Sequence, residues 1–115
     1  MSNIIYKIET AKIWADAQAV GTYIGSPLDV SDGFIHLSGS DQVRETADKW
    51  FTGQEDLVLV SVDGDALSAT LKWEASRDGA LFPHNFGPLP MSAVRDVAPM
   101  PLDSAGKHIF GPNIA

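Results

Sequence analysis

At 115 residues and 12.3 kDa the chain suits one domain, 1–115, able to bury roughly two thirds of its unfolded surface without cross-links. A hydrophobic share of 44% with 20% charged residues excludes a disordered or fibrous chain, and the absence of cysteine excludes disulfides, thiolate zinc sites and thiol nucleophiles. A net charge of −7, with eight Lys and Arg scattered from Lys7 to Lys107, argues against extended nucleic-acid binding, though two or three cations converging in space would still make a pocket for one phosphate.

The segment Ile4-Ile5-Tyr6-Lys7-Ile8 reads as a short strand, and Thr10 is placed to cap a helix whose apolar positions are Ile13, Trp14, Ala17 and Val20, ended by Gly21. Residues 21–33, rich in Gly, Ser, Asp and Pro, read as a loop of the kind that shapes a site. A second strand is expected over Phe34-Ile35-His36-Leu37-Ser38, with Phe34, His36 and Ser38 on one face and Ile35 and Leu37 on the other. From Ser40 to Phe51 a capping Ser or Asp and the spacing of Val43, Ala47, Trp50 and Phe51 predict a second helix.

Leu57 to Val62 is a β-rich run, Asp63-Gly64-Asp65 a turn, and Leu71 to Glu74 a further strand. The stretch LFPHNFGPLP, with three prolines and a glycine, argues for an irregular, tightly turned segment instead of a central strand. Val94 to Met100 is expected to return to the sheet, and residues 103–115 to form a surface tail anchored by Ile109 and Phe110. No basic leader and no apolar run of ~20 residues is evident, so a cytoplasmic protein with no membrane span is expected. Oligomeric state is not legible in the sequence.

Three polar residues stand out as candidates for catalysis: His36, Glu74 and His84. A histidine between apolar neighbours on a strand serves as a general base, a ligand-orienting donor or a metal ligand, but equally as a core histidine bonded to backbone. Glu74 stabilises a cation or, more simply, pairs with Arg77 or Lys72. His84, between Pro83 and Asn85, has stiff surroundings that position a side chain or merely tie a turn. Two histidines and a carboxylate match a facial metal triad in type, but not in the usual close spacing, and no metal is expected. Ser38 lacks a G-x-S-x-G elbow, and no Gly-rich phosphate loop is present.

Taken together, IYKI, Trp14, DGFIHLS, Gln42, Thr46, DLVLVSVD, KWE and LFPHNFGPL resemble the bacterial domain of unknown function 952 family across nearly the whole chain. Phe86 stands where that family usually has tyrosine. The resemblance implies the fold of ADP-ribosylating enzymes and RNA 2′-phosphotransferases: an α+β domain with a bent, mainly antiparallel, split sheet flanked by two helices. It further implies a small-molecule, nucleotide-like ligand, with the cofactor open and nicotinamide adenine dinucleotide (NAD) one candidate for it, and with Tyr6, Lys7, Ser38 and Phe86 as cofactor-binding residues. Two functions compete: a transferase-like enzyme using His36, Glu74 and His84, and a noncatalytic ligand- or protein-binding module in which they form a structural polar network.

Overall fold

The computed structural model describes residues 3–75 and 79–110. It is a compact α+β domain whose strands pair antiparallel. The first sheet has the order β1 (Ile4–Thr10), β4 (Leu57–Asp63), β8 (Val94–Pro99). The second has the order β3 (Ile35–His36), β6 (Leu81–Asn85), β5 (Leu71–Ala75), and a two-stranded ribbon joins β2 (Thr22–Tyr23) to β7 (Leu89–Pro90). The two larger sheets meet where Tyr6 and Ser38 exchange two backbone hydrogen bonds of 2.8 Å.

Alternation along β1 and β4 explains why the first sheet has a core on each face. Ile5, Val60 and Val62 pack with Trp14 and Ala17 of helix α1 (Ala11–Val20), whereas Tyr6, Ile8, Leu57 and Leu59 pack with Val43 and Ala47 of helix α3 (Val43–Trp50). Lys7 and Glu9 share the Ile5 face of β1 and are therefore buried as well, an arrangement that demands partners.

Helix α1 follows its sequence signals. The Thr10 hydroxyl accepts from Ile13 N at 3.2 Å, and Gly21 closes the helix in the left-handed conformation. Val20, expected on the buried face, is exposed, while the helix meets the core through Trp14 and Ala17 with Ile13 packed beside them. Helix α3 begins later than the Ser40 or Asp41 cap predicted. Its cap position is Gln42, whose side chain instead accepts from Gly39 N at 2.9 Å and donates to the Leu81 carbonyl at 2.6 Å.

Residues 21–33 are not one loop, and the described residues hold three α-helices where two were expected. The segment contains β2 and helix α2 (Pro27–Asp32). Ser26 and Asp29 form a reciprocal capping box with proline in the first turn, so six residues hold as a helix without length or amphipathicity to support it. Glycines bracket α2. Gly33 sits at φ +87° with open space around it, so Gly33→Ala is expected to cost about 1–2 kcal/mol, the left-handed penalty alone. Gly25, at φ +109°, would bring a Cβ to 2.6 Å from Asp29 Cβ, so Gly25→Ala should lower the thermal midpoint further than Gly33→Ala. Equal midpoints would mean that the close approach of Asp29 is not restrictive.

The reading of LFPHNFGPLP as irregular is corrected, since β6 is the central strand of its sheet. Leu37 N donates to the Pro83 carbonyl at 3.1 Å, so the absent Pro83 N–H faces the β3 side, where it costs a single ladder bond; Trp73 on β5 opposes Pro83 in a pair that uses neither group. The expected turn at Asp63-Gly64-Asp65 becomes a 3-10 turn over Gly64–Leu67, with Asp63 accepting from Asp65 N. In the C-terminal segment His108 is buried and Phe110 packs on the second core beneath the Arg44 guanidinium, while Ile109 is exposed; residues 111–115 of the expected tail lie outside the described residues. No helix among the described residues is long and apolar enough to cross a membrane.

Candidate functional site

The register of the second sheet builds the site. His36 pairs directly with His84, Lys72 lies opposite His84 on the other side, and Glu74 sits two residues along β5 on the same face. Period-2 alternation thus brings Phe34, His36, Phe82, His84 and Glu74 to one surface. Phe34 stacks on His84 at 4.3 Å between centroids, and the two imidazoles stand 5.6 Å apart, edge to face. His36, Glu74 and His84 are therefore brought together.

This surface forms one wall of a cleft of about 560 Å³, closed by β1, the start of α2 and the inner face of α3. Of the residues singled out in the sequence, Tyr6, Lys7, His36, Ser38 and His84 line it. Glu74 lies behind His84, outside the lining. Phe86 is outside the lining, in a separate depression with Ile24 and Phe34, while the Lys72 ammonium sits 5.3 Å from its ring centre. Aromatic lining comes from Trp50, Phe51 and Phe82; Trp50 remains 64% exposed, although the helical spacing suggested a core position.

The two histidines differ in what they have left to offer. His36 Nδ1 lies 2.6 Å from Asp29 Oδ1 and its Nε2 3.0 Å from Asp32 Oδ2, so both nitrogens face carboxylates and both donate only when the ring is an imidazolium. His84 is 6% exposed; its Nδ1 is 2.9 Å from Glu74 Oε1, and its Nε2 has no partner among the described residues. Glu74 pairs neither with Lys72 nor as a free surface charge, and Arg77 lies outside the described residues. A carboxylate that receives Nδ1–H leaves Nε2 with its lone pair towards the cleft.

Asp29 was not singled out in the sequence, yet it is the hub of the buried polar network. Its carboxylate accepts from Lys7 Nζ at 2.7 Å, Ser26 N at 2.8 Å, His36 N at 3.1 Å and the His36 ring, with the Tyr23 hydroxyl at 3.4 Å. The signal that would have found it is Ser26-Pro27-Leu28-Asp29, a capping-box pattern just before the histidine strand. Lys7 also donates to the His36 carbonyl at 3.0 Å, and Glu9 accepts from the Tyr23 hydroxyl and from Thr10 N at 2.7 Å. Burial pushes the Tyr23 phenol far up, and its hydrogen bond to Glu9 adds to this, so Tyr23 remains a neutral donor.

Burial works to raise the Asp29 carboxyl, but the His36 ring, the Lys7 ammonium and the Ser26 N–H together outweigh it and hold the group well below the usual carboxylate range. The unfolded chain takes up this proton at about pH 4, where the folded chain does not. Asp29 therefore contributes stability that is fully present above about pH 4 and is lost as pH falls towards its depressed folded value. Denaturation midpoints measured between pH 6 and 2 should fall below about pH 4, and fall less steeply in Asp29→Asn. Parallel curves for the two proteins would remove Asp29 as the cause.

Among the described residues no group of three or more His, Asp or Glu side chains is arranged to hold a metal ion. Residues 8–97 match the family model described as "Protein of unknown function (DUF952)", most of the chain's length. The chain belongs to the DUF952 family. The crystal structure of protein CC0527 from Caulobacter crescentus is similar to this DUF952 chain at 49% identity and a TM-score of 0.88, covering 92% of this chain and 93% of that one. The solution NMR structure of the same Caulobacter protein is similar at 50% identity and a TM-score of 0.83, with 91% and 90% covered. None of the curated proteins matches.

Proposed function

We propose that the cleft binds a small planar organic molecule of nucleoside or nucleotide size, and that His84 Nε2 accepts a hydrogen bond or a proton from it. The reading rests on one observation above all: a nearly buried histidine, oriented at Nδ1 by Glu74, presents an unpartnered nitrogen to a cleft of ligand dimensions. Trp50 supports it, because an exposed indole at the mouth of a cleft offers a stacking face to a flat ring. Glu74 acts as a positioning residue, and Ser38, whose hydroxyl lies 3.1 Å from that of Thr46, supplies a polar contact on the wall. If a reaction takes place, these residues fit proton abstraction from a bound hydroxyl or amine, in keeping with the transferase-like activity implied by the family resemblance.

The noncatalytic alternative is favoured at His36. With both of its nitrogens held by carboxylates, this ring serves to fasten α2 to β3 and not to exchange protons. His36→Ala should lower the melting midpoint, whereas His84→Ala should abolish ligand effects. The test is an NMR titration following the amides of β3, β6 and α3 with NAD, its nicotinamide and adenosine parts, and adenine nucleotides. Shifts centred on His84 and Trp50 are expected for at least one of these. If none moves those amides at millimolar concentration, this reading falls.

A further inference from the structure

The charges around the cleft carry the ligand's identity one step further, on the proposal that the cleft is a binding site. We infer that the group admitted beside His84 is uncharged or cationic, and that the cleft discriminates against phosphate-bearing molecules. Lys7 is the lysine or arginine that lines it, and its ammonium is already committed to Asp29 at 2.7 Å and to the His36 carbonyl at 3.0 Å. Glu9, also in the lining and buried, receives, among the described residues, the neutral donors Tyr23 hydroxyl and Thr10 N and no cation. The carboxylates of Glu9, Asp29 and Asp32 outnumber Lys7 and His36 even with His36 counted as a cation, and Glu74 adds another carboxylate behind His84.

Among the described residues the other lysines and arginines stand outside the lining of the cleft. Lys12 pairs with Asp16, Lys49 with Glu45, Arg95 with Asp63 and Lys107 with Asp48, while Lys72 and Arg44 sit over the rings of Phe86 and Phe110. A phosphate entering this cleft would meet like charge at short range with no bidentate partner. A neutral base or a pyridinium ring would instead find the aromatic side chains of Trp50 and Phe51 and the accepting Nε2 of His84. For a dinucleotide such as NAD, it follows that one of its two rings enters and the pyrophosphate stays outside.

Calorimetric and NMR titrations of the intact protein with 1-methylnicotinamide, methylated on the ring nitrogen, adenosine, AMP and ADP test this. The pyridinium cation or the nucleoside should perturb His84 and Trp50, and each added phosphate should weaken binding by about tenfold or more. In Glu9→Gln that penalty should shrink several-fold. Should Glu9→Gln fail to fold, Asp32→Asn, at a half-exposed position, is expected to shrink it in the same direction. AMP or ADP binding at least as tightly as adenosine would overturn the inference while leaving a ligand site at His84 intact. If neither the cation, the nucleoside nor the nucleotides perturb these residues, the site itself is refuted and the inference with it.

Discussion

Asp29→Asn should lower the free energy of unfolding by about 3–5 kcal/mol, the loss expected when one member of a buried ion pair is removed and its partner stays charged. The side chain is nearly inaccessible, and the substitution leaves Lys7 Nζ buried beside a neutral amide. It also replaces an acceptor of several N–H groups by one whose amide nitrogen cannot accept, so Ser26 N, His36 N and the His36 ring compete for a single oxygen. Urea denaturation would read the change directly, and at this chain length it corresponds to a fall of about 10 °C or more in Tm. The double variant Lys7→Met/Asp29→Asn should regain part of the loss, because the stranded charge has been removed with its partner. A loss below about 1 kcal/mol in the single variant would show that the network is solvated in solution and does not hold α2 to the sheet.

The second large effect is functional. His84→Gln should weaken binding of whichever ligand shifts the cleft resonances by more than tenfold, and if turnover is found, the rate should drop by about 10²–10⁴, the usual span for loss of a general base. Glu74→Gln should act more mildly, since an amide oxygen still accepts from Nδ1–H but no longer stabilises charge on the ring. Nitrogen NMR of the imidazole separates a role in positioning from one in folding. The native ring should carry its proton on Nδ1 with Nε2 as acceptor, and Glu74→Gln should raise the population of the other tautomer. A native ring protonated at Nε2 and indifferent to Glu74 would sink the assignment of His84 as an acceptor, whatever happens to stability.

These two residues mark how unevenly the molecule could be read in advance. His84 was a candidate from its neighbours, but LFPHNFGPLP suggested a turn, because proline content ordinarily rules out a central strand. One proline at the end of a two-residue partner strand removes only a single ladder bond, and that local count overrode the general rule. Asp29 was missed because residues 21–33 carry the composition of a loop. A six-residue helix has no hydrophobic period to detect, and it is marked only by its ends: the capping box, Pro27 in the first turn and the closing Gly33.

Local chemistry was enough to determine several parts of the protein. Thr10 and Gly21 bound α1 because a cap and a left-handed glycine act within a few residues, and the expected alternation shows in His36 and Ser38 lining one cleft with the Phe34 ring against His36, although β3 itself is only Ile35–His36 and not the whole expected strand. The family membership was likewise legible, since GFIHLS and the later FPH segment are sequence patterns in themselves. The pairing of these pieces depended on the tertiary structure. Nothing local places His36 opposite His84, Glu74 two residues along the neighbouring strand, or Lys7 against an aspartate from a different element. Strand register is fixed by which faces are buried together, and a charge is buried only where a distant partner meets it, so the candidate site exists in the packing and not in any one segment.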